Sequence, residues 1–346
     1  MKNLTNREEI KKIDPQDTFG TTEMMLDQLE AAWNQVKALD IPKIEDISNI
    51  VFCGMGASIY GALVVQSLLG SKFPYPTETV TDYHLPGYVN EHTLVVLTSY
   101  SGSTEEVLSC AYEAKEKGCK MLVLTKGGKL SDFAKEHSVS SYIFDGKLNP
   151  ASVPRLGNGY SILGLIGLLS QSGVISIDED GIVHAIARVI EYFERLKSEA
   201  MKDSEKLVGK IPIVITAEHL SGNAQILRNQ FNETSKAFSA YYLVPDLNHH
   251  LMEGLAFPEN AELYFILFQT KNYSEKIYKR IELTRKVINQ NKRMAQVIQL
   301  DGKSVYEDFV SMLMYGSFLT LFLGLRYNQN PAINPWVDWF KEELAK

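Results

Sequence analysis

Four hydroxyl side chains, Ser99, Ser101, Ser103 and Thr104, crowd around Gly102 in the stretch Ser99-Tyr-Ser-Gly-Ser-Thr104. Hydroxyls are neutral donors and a glycine lets backbone N–H groups turn toward a ligand, so the stretch suits a small anion, phosphate above all. Its flanks agree. The uncharged, β-branched run from Thr93 to Thr98 reads as a buried parallel strand, and Val107, Leu108, Ala111 and Ala114 then recur at helical spacing. The hydroxyls thus fall where a strand ends and a helix begins, facing the positive end of the helix dipole. A second reading competes for one of them: Ser103 and Glu106 have the spacing of a capping box, in which Ser103 caps the helix. That leaves Ser99, Ser101 and Thr104 for the anion.

A second loop of the same kind lies upstream. The short strand Asn49–Cys53 runs into Gly54-Met-Gly56-Ala-Ser58 and then a helix. As a dinucleotide fingerprint it fails, because the third glycine position holds Ile59. Gly54 and Gly56 either let the backbone approach a ligand beside Ser58 or serve tight strand–helix packing.

The elements that must hold these loops follow a regular rhythm. Strands at 49–53, 77–81, 93–98, 119–124 and 139–144 alternate with helices, and the pattern returns at 212–217, 240–244, 262–269 and 295–300. That rhythm predicts an α/β protein with a doubly wound, mainly parallel sheet in each half. Such sheets bind ligands at the carboxyl ends of their strands, where both loops lie. Turn residues over 173–180 place the division between residues 1–178 and residues 179–346. A single helix is expected over 21–39. The second half has no copy of the hydroxyl loop.

Bulk properties narrow the partners. The 346 residues carry a net charge of −7, with 45% hydrophobic and 22% charged content. This is an ordinary globular balance, acidic enough to argue against a nucleic-acid partner. The charged N-terminal stretch has no apolar segment of a signal peptide. The apolar runs 156–177 and 309–325 read as buried core helices rather than membrane spans. Cys53, Cys110 and Cys119 lack metal-site spacing, and reduced thiols in the cytoplasm are the simplest account.

Gly54-Met-Gly-Ala-Ser58 and Ser99–Thr104 together resemble the sugar isomerase (SIS) fold. The later segments Pro154-Arg155 with Gly159-Tyr-Ser161, Asn229-Gln-Phe-Asn-Glu233 and Pro245-Asp-Leu-Asn-His249 narrow the resemblance to bifunctional phosphoglucose/phosphomannose isomerases. The resemblance implies a cofactor-free aldose–ketose isomerase acting on glucose 6-phosphate and mannose 6-phosphate. It implies a homodimer with the active site at the interface. Ser58, Ser99, Ser101 and Thr104 would hold the sugar phosphate, Arg155 would stabilise the oxyanion, and Glu233 would be the base. His249, reaching across from a second copy, and Lys341 of Val337-Asp-Trp-Phe-Lys341 would open the ring. A non-catalytic sugar-phosphate sensor and an amino-sugar phosphate isomerase or deaminase are the alternatives on the same fold.

The chemistry has a use for each of these residues. Moving a proton between C1 and C2 through an enediolate takes one base, a cation near the oxyanion and an acid/base pair for ring opening. Glu233 falls near a helix C-terminus, where the dipole makes a second negative charge costly; the alternative is an exposed glutamate on a polar face. Arg155 is permanently cationic, and its alternative is an interdomain salt bridge. Histidine titrates near neutrality, but residue type alone does not separate His249 from His219 or His250. Adjacent His249 and His250 splay apart and make a poor metal pair with Glu253.

Overall fold

Two short helices, α1 (Arg7–Lys11) and α2 (Thr18–Glu23), precede α3 (Met25–Lys37) in the computed structural model, which describes residues 4, 6–344 and 346. The single helix expected over 21–39 is therefore two helices, with a break at Met24. The first of them starts early because the Asp14 carboxylate accepts the backbone N–H groups of Thr18 at 3.0 Å and Phe19 at 2.8 Å.

The first α/β unit follows as β1 (Asn49–Gly54), α4 (Tyr60–Leu69), β2 (Thr77–Val80), β3 (Thr93–Ser99), α5 (Glu105–Glu116), β4 (Lys120–Thr125), α6 (Gly128–Glu136), β5 (Ser140–Ile143) and α7 (Asn158–Gln171). Its five strands are all parallel in the order β2-β1-β3-β4-β5. The chain leaves β1 for β2 on one side and passes to β3 on the other, so the crevice between β1 and β3 is the switch point of the sheet. Register pairs Gly54 with Thr98. The two strands therefore end level, and their loops stand side by side.

The long helix α8 (Glu179–Lys206) leads to the second unit: β6 (Ile211–Ala217), α9 (Ser221–Glu233), β7 (Ala240–Val244), β8 (Leu263–Thr270), α10 (Glu275–Gln290) and β9 (Met294–Leu300). Its sheet is again wholly parallel, in the order β7-β6-β8-β9. The chain then forms α11 (Val305–Arg326) and α12 (Pro335–Leu344).

Helices α4, α7, α9 and α11 lie among the residues of one apolar core that runs through both units. A smaller core backs β1, β3 and β4 against α5 and α6. Each fully buried Leu, Ile or Phe there contributes about 1.5–3 kcal/mol. The two apolar runs fall where expected. In α7 every residue from Asn158 to Leu169 is buried. Helix α11 is long and apolar enough to cross a membrane, yet its most apolar stretch is wholly buried inside the protein. What matters for the site is the packing of α4 on α9, which brings the C-terminus of α9 to the switch point of the first sheet.

Candidate active site

The hydroxyl loop grows out of β3, every residue of which is buried. Ser99, 1% exposed, organises it from below: its Oγ lies 2.7 Å from Thr104 Oγ1 and accepts the Gly102 N–H at 3.0 Å. Ser101 Oγ accepts the Ser103 N–H at 3.3 Å, and Ser58 Oγ reaches across from the first loop to accept the Tyr100 N–H at 2.9 Å. Gly102 sits at φ +71, and a Cβ there would collide with the Gly127 carbonyl oxygen. No other residue fits so close an approach in a left-handed conformation.

The capping-box reading is not borne out. Helix α5 begins after Thr104, not Ser103, and no side chain caps it. Thr104 is the capping residue by position, but its hydroxyl is spent on Ser99 instead of the helix. The first N–H groups of α5 therefore open toward the loop without a side-chain acceptor from the cap, which favours an anion. Ser101 and Ser103 are exposed and Thr104 is half-buried. The two glycines of the first loop divide the work: a Cβ on Gly54 would collide with Thr98 Oγ1, whereas Gly56 faces open space at φ +55. Packing thus accounts for Gly54, and approach to a ligand is left to Gly56.

Tyr100 ties this loop to the next part of the site. Its ring fills the place where a Cβ on Gly157 would stand, and its hydroxyl accepts from Asn149 Nδ2 at 2.7 Å. Burial pushes the phenol up to about 12. Gly157 closes the 3-10 turn Pro154–Leu156 that carries Arg155.

Arg155 is 2% exposed and uses nearly all of its fork. Nε donates to Thr234 Oγ1 at 3.1 Å, Nη1 to Glu233 Oε2 at 3.4 Å, and Nη2 to the carbonyls of Ala332, at 3.1 Å, and Pro331. Burial lowers its pKa, and the Glu233 carboxylate works against that shift. Glu233 is the last residue of α9, as the helix-end argument requires, and its side chain is 33% exposed. Its Oε2 also accepts from Asn334 Nδ2 at 3.2 Å. Tyr60, two residues beyond Ser58 and wholly buried, has its pKa raised by burial and then by the Glu233 carboxylate. The phosphate-side turn, Arg155 and Glu233 therefore form one neighbourhood. The salt-bridge reading of Arg155 is also realised, since it joins the first unit to the second.

Two participants escaped the sequence reading. Asn334 lies 101 positions from its partner Glu233, and only its place before Pro335 and a helix marks it. Lys236 is three residues past Glu233, a spacing that could have drawn notice. It takes a left-handed backbone (φ 56) and donates from Nζ to the Glu233 carbonyl and, at 2.7 Å, to that of Ile333. Arg155 and Lys236 thus clamp the strap 331–334 over the end of α9. Beside it opens a cleft of about 450 Å³, lined by Glu233, Lys236, Asn334 and Trp336 among others. A single carboxylate between two cationic side chains attracts anions, not metal ions.

Burial first and Arg155 second push Lys236 down to about 8 from its ordinary 10.5, with Glu233 opposing. Between these values the unfolded chain holds the proton more tightly, so this residue's contribution to stability rises with pH across that window and its penalty is full below it. The stability of the native protein relative to a Lys236→Met variant, measured by urea denaturation, is expected to increase from about pH 7 to about pH 10. A pH-independent difference would mean that Lys236 acts through its hydrogen bonds alone.

The remaining candidates stand apart. His249 ends a 3-10 turn after β7 and is exposed; Lys341 lies on α12, which buries no residue. Neither side chain makes a hydrogen bond or ion pair among the described residues. His250 is held by Asp246 at 3.3 Å. His219 is buried against Asp308 at 3.1 Å, which gives it a structural task and removes it as a rival to His249.

Two wholly parallel sheets flanked by helices, the first with a hydroxyl loop at its switch point, make this an α/β protein of paired sheets. Solved structures share the fold: a hypothetical protein of Thermus thermophilus superposes with a TM-score of 0.72 over 98% of this chain and 93% of that one, at 16% identity. The C-terminal domain of glucosamine-fructose-6-phosphate aminotransferase from Francisella tularensis does so at 0.71, over 91% and 98%, at 11% identity. Residues 196–344 match the family described as bacterial phospho-glucose isomerase C-terminal SIS domain. The bifunctional phosphoglucose/phosphomannose isomerase of Aquifex aeolicus is 30% identical over 92% of this chain and 97% of its own length. That of Caldicellulosiruptor bescii is 29% identical over 92% and 96%. The chain belongs to the bifunctional phosphoglucose/phosphomannose isomerase family.

Proposed function

We propose that the protein interconverts glucose 6-phosphate and mannose 6-phosphate with fructose 6-phosphate by proton transfer through a common enediolate. The observation that carries this reading is the Glu233–Arg155 pair at 3.4 Å, set beside a cleft and linked to the hydroxyl loop by Tyr100, which packs on Gly157 of the turn that carries Arg155. Ser58, Ser101 and Thr104, with the N–H groups at the start of α5, hold the phosphate, and Ser99 braces them. Glu233 removes the proton from the sugar C2 and returns it to C1. Arg155 stabilises the enediolate oxygen, for which a cation fixed by its own hydrogen bonds needs no reorganisation. Asn334 positions the Glu233 carboxylate. The two aldoses differ only at C2 and give the same enediolate, so one base serves both when rotation about C2–C3 turns either face of the enediolate toward it.

Ring opening is assigned to His249 and Lys341. Both are exposed and outside the cleft of their own chain, which supports a homodimer in which His249 of a second copy completes the site. The exposed Trp336, Trp339 and Phe340 of α12 are apolar surface suited to that contact. We assign the phosphate grip to residues 1–178 and the base to residues 179–346. The three cysteines are free and buried, in keeping with a cytoplasmic setting.

Coupled assays with each hexose 6-phosphate test the reading. Turnover of both aldoses is expected; binding of a sugar phosphate without turnover would overturn it in favour of a sensor. The phosphate loop has its own test. Ser101→Ala combined with Thr104→Ala removes two bonds to a charged group and should raise KM by roughly 10²-fold, with a smaller effect on kcat. An unchanged KM would confine the loop to a structural role.

A further inference from the structure

Where α4 packs on α9, the Gly222 N–H donates to Ser67 Oγ at 2.8 Å, and a Cβ on Gly222 would collide with the Leu63 carbonyl. Tyr60, two turns before Ser67, lies beside Asn229, two turns after Gly222. The helices therefore run antiparallel, and one more turn along α9 brings Glu233 to the same end.

Tyr60 is wholly buried, and its hydroxyl has no hydrogen-bond partner among the described residues. The Asn229 amide beside it falls short of bonding geometry. Such orphans are rare, because a buried donor gives up water and gains nothing in exchange. Burial raises the pKa of the phenol most and the Glu233 carboxylate next, while Asn229, Arg155 and Arg228 oppose them. The carboxylate is short of donors as well. Both bonds to its side chain fall on Oε2, from Arg155 Nη1 at 3.4 Å and from Asn334 Nδ2 at 3.2 Å. Charge-assisted bonds ordinarily close to about 2.7–2.9 Å. Oε1 accepts none among the described residues. A buried donor without an acceptor thus stands beside a loosely held base with one oxygen free. In unliganded sites catalytic hydrogen bonds are often long and tighten only around the substrate. Tyr60 belongs to the phosphate side too, since Ser58, two residues earlier, holds the Tyr100 N–H of the hydroxyl loop.

We propose that Tyr60 is a positioning residue for the base, its hydroxyl donating to the Glu233 carboxylate once substrate occupies the site. The inference rests on the reading of Glu233 as that base. The bond orients the carboxylate and favours its charged form. The charged groups around the pair are Arg155 from the turn before α7, Arg228 earlier in α9 and Lys236 after it. All three stay in place in the test.

Tyr60→Phe keeps the ring and removes only the hydroxyl. The acid limb of kcat reports the substrate complex, and it should move up by about one pH unit as the carboxylate loses its donor. The acid limb of kcat/KM reports the free protein, where the hydroxyl is unpaired, and it should stay in place. A ring-fluorinated tyrosine introduced at position 60 is a stronger donor of nearly the same size. It should move the kcat limb down, and it serves as the test if the phenylalanine variant fails to fold. A merely structural Tyr60 would change stability and move neither limb. Glu233→Gln is assayed alongside. If that variant turns over at a near-native rate, the base is misassigned and the inference falls with it. If it is inactive while Tyr60→Phe keeps the native kcat limb, the inference alone is overturned.

Discussion

Replacing Glu233 by Gln is expected to lower kcat by roughly 10²–10⁴-fold, the usual contribution of a positioned base. Binding of a non-isomerisable sugar-phosphate analogue should stay within a few-fold of native. The reasoning is local. Glu233 closes α9, so its backbone is held by the helix and its carboxylate by Arg155 and Asn334. Glutamine has the same shape and keeps one acceptor oxygen for these donors, so the strap and the cleft survive. What it lacks is an oxygen basic enough to take the C2 proton. Steady-state rates for both aldoses, with analogue binding measured alongside, separate the two effects. A near-normal rate would show that another group is the base; loss of analogue binding would show that the charge of Glu233 organises the site instead.

The second large effect is expected at Arg155. Arg155→Met should cost about 3–5 kcal/mol of stability, the sum expected when buried acceptors are left without a donor at about 1–3 kcal/mol each. The side chain's loss orphans Thr234 and the carbonyls of Pro331 and Ala332, and frees the strap from the end of α9. In the fraction that remains folded, kcat should fall a further ~10²–10³-fold, the usual cost of one oxyanion-stabilising donor. Arg155→Lys restores the charge but not the planar fork. It should recover part of kcat and little of the stability. Urea denaturation and kcat measured on the same preparations decide the matter. If Arg155→Met is destabilised yet turns over normally when folded, Arg155 is a clamp and the oxyanion is stabilised elsewhere.

These expectations mix residues that were visible in the sequence with residues that were not, and the division has a cause. The hydroxyl loop was legible because its strand, turn and helix are contiguous: Thr93–Ser99 is uniformly apolar or β-branched up to its closing serine, and Gly102 marks the turn. Its finer detail was not. The spacing of Ser103 and Glu106 satisfies a capping box, but the outcome depended on Ser99, which draws the Thr104 hydroxyl away from the helix. The early start of the first helix at Thr18 likewise came from Asp14, outside the periodic stretch.

Local sequence was enough for the succession of strands and helices, the place of each loop at a strand's carboxyl end and the presence of Glu233 near a helix terminus. These are properties of residues within a few positions of one another, where backbone preference and apolar period suffice. Packing between distant segments is what puts Glu233, Lys236 and Asn334 on one cleft with Arg155 bonded to Glu233 behind it, and what commits His219 to Asp308. Most of those contacts join segments far apart in the chain, such as Arg155 with Ala332 at a separation of 177. Whether distant polar groups meet is settled by how the helices between the sheets pack, and no local pattern carries that information. The hydroxyl loop belongs to the first kind and the groups proposed to do the chemistry belong to the second.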